Sequence, residues 1–105
     1  MALFDEVQQL SSESHDKWFD RYFKKYDIIN KIKISAQQGY SGYLIAVLSV
    51  KDEYTQRRLD DERTLVKLRE MLGEGFTVEF EITYGKNIFS GREYISNKQI
   101  HITWA

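Results

Sequence analysis

The chain has two histidines, His15 and His101, and neither has a second histidine or an acid at metal-ligand spacing. A structural or catalytic metal needs three or four converging nitrogen, oxygen or sulfur ligands, so no metal site is expected. Cysteine is absent, which removes thiolate nucleophiles, thiolate ligands and disulfides. Glu79 and Glu81 stand two apart on a strand-like stretch and share a face, a spacing open to acid–base work. A pair of carboxylates on the wet face of a sheet explains them as well. Asp60-Asp61-Glu62 could serve as an acidic docking point or metal ligands, but three carboxylates also suit the positive end of a helix dipole. Gly73-x-Gly75 follows a helical pattern, whereas a dinucleotide fingerprint follows a strand, so it reads as a helix stop. Gly39-x-x-Gly42 reads as a turn. No catalytic residue and no cofactor site is expected, and the reading is non-enzymatic.

Binding is better represented. Trp18, Phe19, Tyr22, Phe23 and Tyr26 place five aromatics in nine residues, more than one helix face covers. A second apolar group, Ile88, Phe89, Tyr94 and Ile95, lies on the glycine-punctuated segment Gly85 to Asn97. Such side chains cost solvation unless they pack or bind. The candidate contacts to a protein partner, or to a second copy, are therefore Trp18, Tyr22, Tyr26, Phe89, Arg92 and Tyr94. The alternative is nucleic acid. Lys17, Arg21, Lys24, Lys25, Lys31 and Lys33 could track phosphates beside stacking aromatics. Asp16, Asp20 and Asp27 on the same stretch oppose that charge.

These residues need elements to hold them. Leu3, Phe4, Val7 and Leu10 recur at helical steps, and Ser11-Ser12-Glu13-Ser14 interrupts the pattern, so the chain opens on a helix or helix pair. From Ser14 the apolar positions Trp18, Phe19, Tyr22, Phe23, Tyr26 and Ile29 form one face. Ile28 to Ala36 fits helix and strand spacing alike; the helix, stopped at Gly39, is preferred. Tyr43 to Val50 is the longest uncharged run and is predicted to be the central strand, buried on both faces. A helix ending at Leu72 follows. Its buried face is Leu65, Leu68, Met71 and Leu72, and its start falls near Asp60 or near Tyr54. Phe76 to Tyr84 alternates cleanly, so one face is buried and one is wet. The strand–helix–strand unit predicts a parallel pair, and Gln99 to Trp104 a last strand antiparallel to its predecessor. Gly85 to Asn97 is a hairpin finger or a loop. The expected fold is α+β: an N-terminal helix or helix pair, then β-α-β-β, with helices on one face of a small mixed sheet.

Composition sets the remaining bounds. The 105 residues, 42% hydrophobic and 14% aromatic with a net charge of −1, suit one globular domain spanning 1–105. That charge gives no general pull on nucleic acid. The acidic start Met1-Ala2-Leu3-Phe4-Asp5-Glu6 is unlike a signal peptide, and no apolar run approaches the ~20 residues of a membrane helix, so a cytoplasmic protein without a membrane role is expected.

Three stretches carry a resemblance: Ile32…Ala36-Gln37-Gln38-Gly39, Gly75-Phe76-Thr77-Val78 and Ile102-Thr103-Trp104. Together they resemble small uncharacterised phage and prophage α+β proteins, whose chains often close on an Ile-Ser-Trp strand. Thr103 replaces that serine, and the finger is longer. The resemblance runs from about Ile29 to Ala105 and implies a mobile-element origin and a compact α+β fold. It implies no functional residue.

Overall fold

The computed structural model describes residues 2–104. The order is α1 (Leu3–Tyr26), α2 (Ile28–Gln37), β1 (Gly42–Ala46), α3 (Glu53–Leu59), α4 (Glu62–Leu72), β2 (Thr77–Lys86) and β3 (Glu93–Thr103). The α+β class is as expected from the sequence.

The first helix is continuous through Ser11 and Ser14. Ser11 and Ser14 accept hydrogen bonds from Arg63 and Arg58 respectively, which ties this stretch of α1 to α3 and α4. Asp5 and Glu6 in the first turn and Lys24 and Lys25 in the last complement the dipole. Asp27 ends α1 in the left-handed region at φ 55°, a conformation aspartate tolerates better than most residues, and the chain restarts as α2. Ile28–Ala36 is therefore helix, with Ile28 and Ile32 buried.

The helix before Leu72 is two helices, so both proposed starts exist. Asp52 and Asp61 each cap one, accepting from the amides of Tyr54 and Arg63. Such a cap contributes about 1 kcal/mol. Leu65 and Leu68 are buried, while Met71 is exposed.

The sheet departs from expectation in two respects. Its order is β1-β3-β2, so β3 is central and the run from Tyr43 supplies an edge strand that stops at Ala46. Helices cover one face only. Ile45 and Val47 point into the core, while Leu44 and Leu48 point out. An unbroken apolar run hides that alternation. The chain then turns as the Val50 backbone amide donates to the Val47 carbonyl and the Gln56 side-chain Nε2 donates to the Leu48 carbonyl.

The second correction concerns direction. All strand pairing is antiparallel, so the sheet is not mixed. β1 and β2 run the same way but never touch, because β3 lies between them.

The core joins Trp18, Phe19 and Phe23 of α1, Ile28 and Ile32 of α2, Leu59, Leu65 and Leu68 of α3 and α4, and Ile45, Val47, Val78, Ile100 and Ile102 beneath them. Lys98 marks where helical cover ends. Its ammonium pairs with Asp60 and lies over the Phe80 ring at 4.3 Å. Beyond it β2 and β3 continue as a bare two-stranded ribbon, exposed along 93–96 of β3.

Candidate interaction surfaces

The ribbon ends in a turn whose order comes from Asn87. Its side-chain oxygen accepts from the amides of Phe89 and Ser90, its own amide donates to the Arg92 carbonyl, and the Gly91 amide donates to its carbonyl. Gly91 takes φ 70°, which a side chain would oppose. This turn holds Ile88 at 89% and Phe89 at 94% exposure. Gly85 is needed for a different reason: the Tyr94 ring lies across it, and a Cβ there would sit 2.6 Å from the ring carbon Cζ. Along the face that helices cover lower down, Ile82 and Tyr84 of β2 and Ile95 opposite Tyr84 are exposed. The finger is thus a hairpin with exposed apolar side chains. It carries Phe89, Arg92 and Tyr94 of the predicted contacts, with Tyr94 on the face of Gly85, opposite the one that bears Tyr84 and Ile95.

The other three predicted contacts sit elsewhere. Trp18 is 4% exposed and belongs to the core, which corrects its assignment as a contact in this conformation. Five aromatics on one helix do outnumber one face, but they satisfy each other. Trp18 stacks on Tyr22 at 5.2 Å and Tyr22 on Tyr26 at 5.6 Å. Tyr22 and Tyr26 are half-buried. They line a groove of about 430 Å³ with Lys25, Lys31 and Thr55, and the Lys31 ammonium lies 4.7 Å from the Tyr26 ring centre. Tyr26 and Tyr43 share a hydroxyl–hydroxyl hydrogen bond of 2.9 Å. Burial, then that bond, drives the Tyr43 hydroxyl far above its ordinary range, and burial raises Tyr22.

Lys17, Arg21, Lys24 and Lys25 of the predicted phosphate-tracking cations lie on α1, and Lys31 and Lys33 on α2. Lys25 and Lys31 meet at the tyrosine groove, Lys17 and Arg21 border a shallow depression with Leu10, and Lys24 lies beside Asp20 and Asp27. Lys33 is exposed on α2.

One polar cluster escaped the sequence reading. His15 is 1% exposed. The Thr64 hydroxyl donates to the Arg58 carbonyl at 2.6 Å, so its oxygen accepts from His15 Nε2 at 3.2 Å. His15 Nδ1 then carries no proton and has no hydrogen-bond partner, and the Asp61 carboxylate lies 3.9 Å away. Burial lowers the His15 pKa. Asp61 works against that shift, and Arg63 and Arg58 add to it. Burial pushes the Asp61 carboxyl up, but the Arg63 hydrogen bonds outweigh it and hold the group low. Hydroxyl, imidazole and carboxylate stand in the order of a nucleophilic triad. The hydroxyl is fully buried, though, and its proton is committed to a backbone carbonyl. The cluster clasps α1 to α3 and α4. Its signal was available: His15 precedes Trp18 and Phe19 by three and four residues, which puts it on the buried face.

His101 sits half-buried on the uncovered sheet face, its Nδ1 3.2 Å from Glu81. Among the described residues no cluster of three or more histidine or acidic side chains could hold a metal ion, and no helix is long and apolar enough to cross a membrane. Compared with known proteins, the chain matches no family model, no curated protein and no solved structure.

Proposed function

We propose that this protein is a small non-enzymatic interaction module, of the kind mobile elements carry as accessory proteins, that docks onto a protein partner through the distal β2–β3 hairpin. The observation that carries the reading is the exposure of Ile88 and Phe89 on a turn that Asn87 holds in one shape. Ordered apolar side chains in water gain about 1.5–3 kcal/mol each when a partner covers them. Tyr84 and Ile95 extend the apolar display below them on one face of the hairpin, Tyr94 is exposed on the other, and Arg92 adds a cation beside the turn.

The test places a photoreactive benzoylphenylalanine at position 89 in the producing cell. A discrete, saturable adduct that disappears when Ile88→Asp is added is the expected result. A chain that yields no adduct, or one insensitive to Ile88→Asp, contradicts the reading.

The groove of Tyr22, Lys25, Tyr26 and Lys31 favours a second reading, single-stranded nucleic acid held by stacking and charge. It predicts binding that weakens steeply with salt and is lost in Lys25→Ala/Lys31→Ala. Fluorescence anisotropy with labelled random oligonucleotides checks it, and salt-independent binding or none rejects it.

A further inference from the structure

We propose that the partner of the hairpin is a second copy of this chain, joined by antiparallel pairing of β2 with β2 around Ile82. The proposal rests on the reading of the hairpin as a docking element and names what docks.

β2 is an edge strand, and the ladder shows which of its backbone groups are free. The Lys98 carbonyl accepts from Val47, so Lys98, Ile100 and Ile102 turn their backbone groups toward β1. Asn97, Gln99, His101 and Thr103 then serve β2, and their opposite residues are Thr83, Glu81, Glu79 and Thr77. The intervening residues Val78, Phe80 and Ile82 therefore direct N–H and C=O away from the sheet. Tyr84 continues the alternation, because the extra residue of the bulge, Ser96, is in β3. Arg69 occupies the Val78 carbonyl. Phe80, Ile82 and Tyr84 have no such cover. The usual guards of an open edge are missing along them: no proline, no bulge in β2 itself, and no lysine before Lys86.

The open stretch is self-complementary. A two-fold axis at Ile82 pairs Ile82 with its counterpart and Phe80 with Tyr84 of the other copy, on the apolar face. On the opposite face Glu81 meets Thr83 and Glu79 meets Gly85, so no carboxylate faces a carboxylate. An axis at Glu81 would set that residue against itself. An axis at Thr83 would replace the Phe80–Tyr84 contact with Phe80–Lys86. The Ile82 register also brings Ile88 level with Phe76 of the other copy, which packs edge-on against Trp104. That gives the exposed tip an apolar seat and makes a continuous two-chain sheet with an isologous interface.

Sedimentation velocity over a concentration series, with site-resolved amide exchange, tests this. The expected result is a reversible dimer in which the amides of Phe80, Ile82 and Tyr84 gain protection with concentration, while those of Glu79, Glu81 and Thr83 do not change. Ile82→Lys, at an exposed position, should keep the circular dichroism spectrum and lose the dimer. Ile82→Cys, in a chain without other cysteines, should form a disulfide-linked dimer on mild oxidation. A monomer at every concentration, or a dimer without that alternating protection, overturns the pairing. If the position-89 adduct to a different protein then persists, only the identity of the partner falls. If no adduct forms at all, the docking reading falls with it.

Discussion

Arg69 donates to the Val78 carbonyl from Nη2 at 2.6 Å and from Nε at 3.1 Å, so a side chain of α4 does for β2 what a neighbouring strand would do. Val78 is buried, and its carbonyl faces away from the sheet. Without the guanidinium, that carbonyl is desolvated and unsatisfied.

Arg69→Met should therefore cost about 1–3 kcal/mol, the ordinary penalty for stranding a buried acceptor. Arg69→Lys, with one donor in place of a fork, should recover only part of it. Urea denaturation of the three proteins measures both differences. Equal stability of Arg69→Met and wild type would show that water reaches the Val78 carbonyl.

Acid should weaken the fold through His15. Its folded pKa lies below 6.5, so between that value and 6.5 the unfolded chain binds more protons than the folded one. This contribution is fully present above pH 6.5 and is lost as pH falls through the folded value. Melting temperatures from pH 8 to pH 5 should decline below 6.5 in the wild type. His15→Gln, which cannot titrate, should flatten that segment of the curve.

Gly85 and Tyr94 should behave as a unit. Gly85→Ala places a methyl within the Tyr94 ring, and the hairpin must open to accept it. Chemical-shift changes should reach Tyr84 and Ile95 and leave Ile100 and Ile102 unchanged. Tyr94→Ala should relieve the clash, so the double variant should resemble Tyr94→Ala alone. Additive damage would contradict the contact.

Trp18 and Phe89 should separate stability from docking. Trp18→Ala removes a core ring and should cost about 3–5 kcal/mol. Phe89→Ala should stay within about 0.5 kcal/mol of wild type, since its ring touches water on nearly every side. Chemical denaturation measures both.

The sequence was most readable where periodicity and burial agree. The aromatic steps of α1, the buried alternation of Phe76, Val78 and Phe80 and the stop at Gly73 survive in the structure, whereas Ile82 and Tyr84 on the same face, predicted to be buried, are exposed because no helix reaches them. It was least readable where one face of an apolar run lies bare. Leu44 and Leu48 gave the Tyr43 run the look of a central strand, while the true centre, β3, carries Asn97, Lys98, Gln99 and His101 and reads as polar. Lys98 and His101 find partners in Asp60 and Glu81 that no local pattern announces. Trp18 was read as a contact because crowded aromatics look like surplus; the ladder through Tyr22 and Tyr26 absorbs them. Phe89, Arg92 and Tyr94 of the proposed contact set lie on one hairpin, which is a local structure and so legible in the sequence. The open edge at Ile82 depends on which strand ends up beside which.

The central place of β3 has a consequence for the order of events on the ribosome. It is made after every other described element, yet among the described residues β1 and β2 pair with no strand but β3. Until Ile100 and Ile102 leave the exit tunnel, the aromatic face of α1 and the apolar side of β2 have no floor to close on. The helices can form early, but the sheet can close only once β3 is available. A nascent chain stalled before residue 97 would present its sticky surfaces to chaperones, and deleting residues 97–103 should abolish the fold.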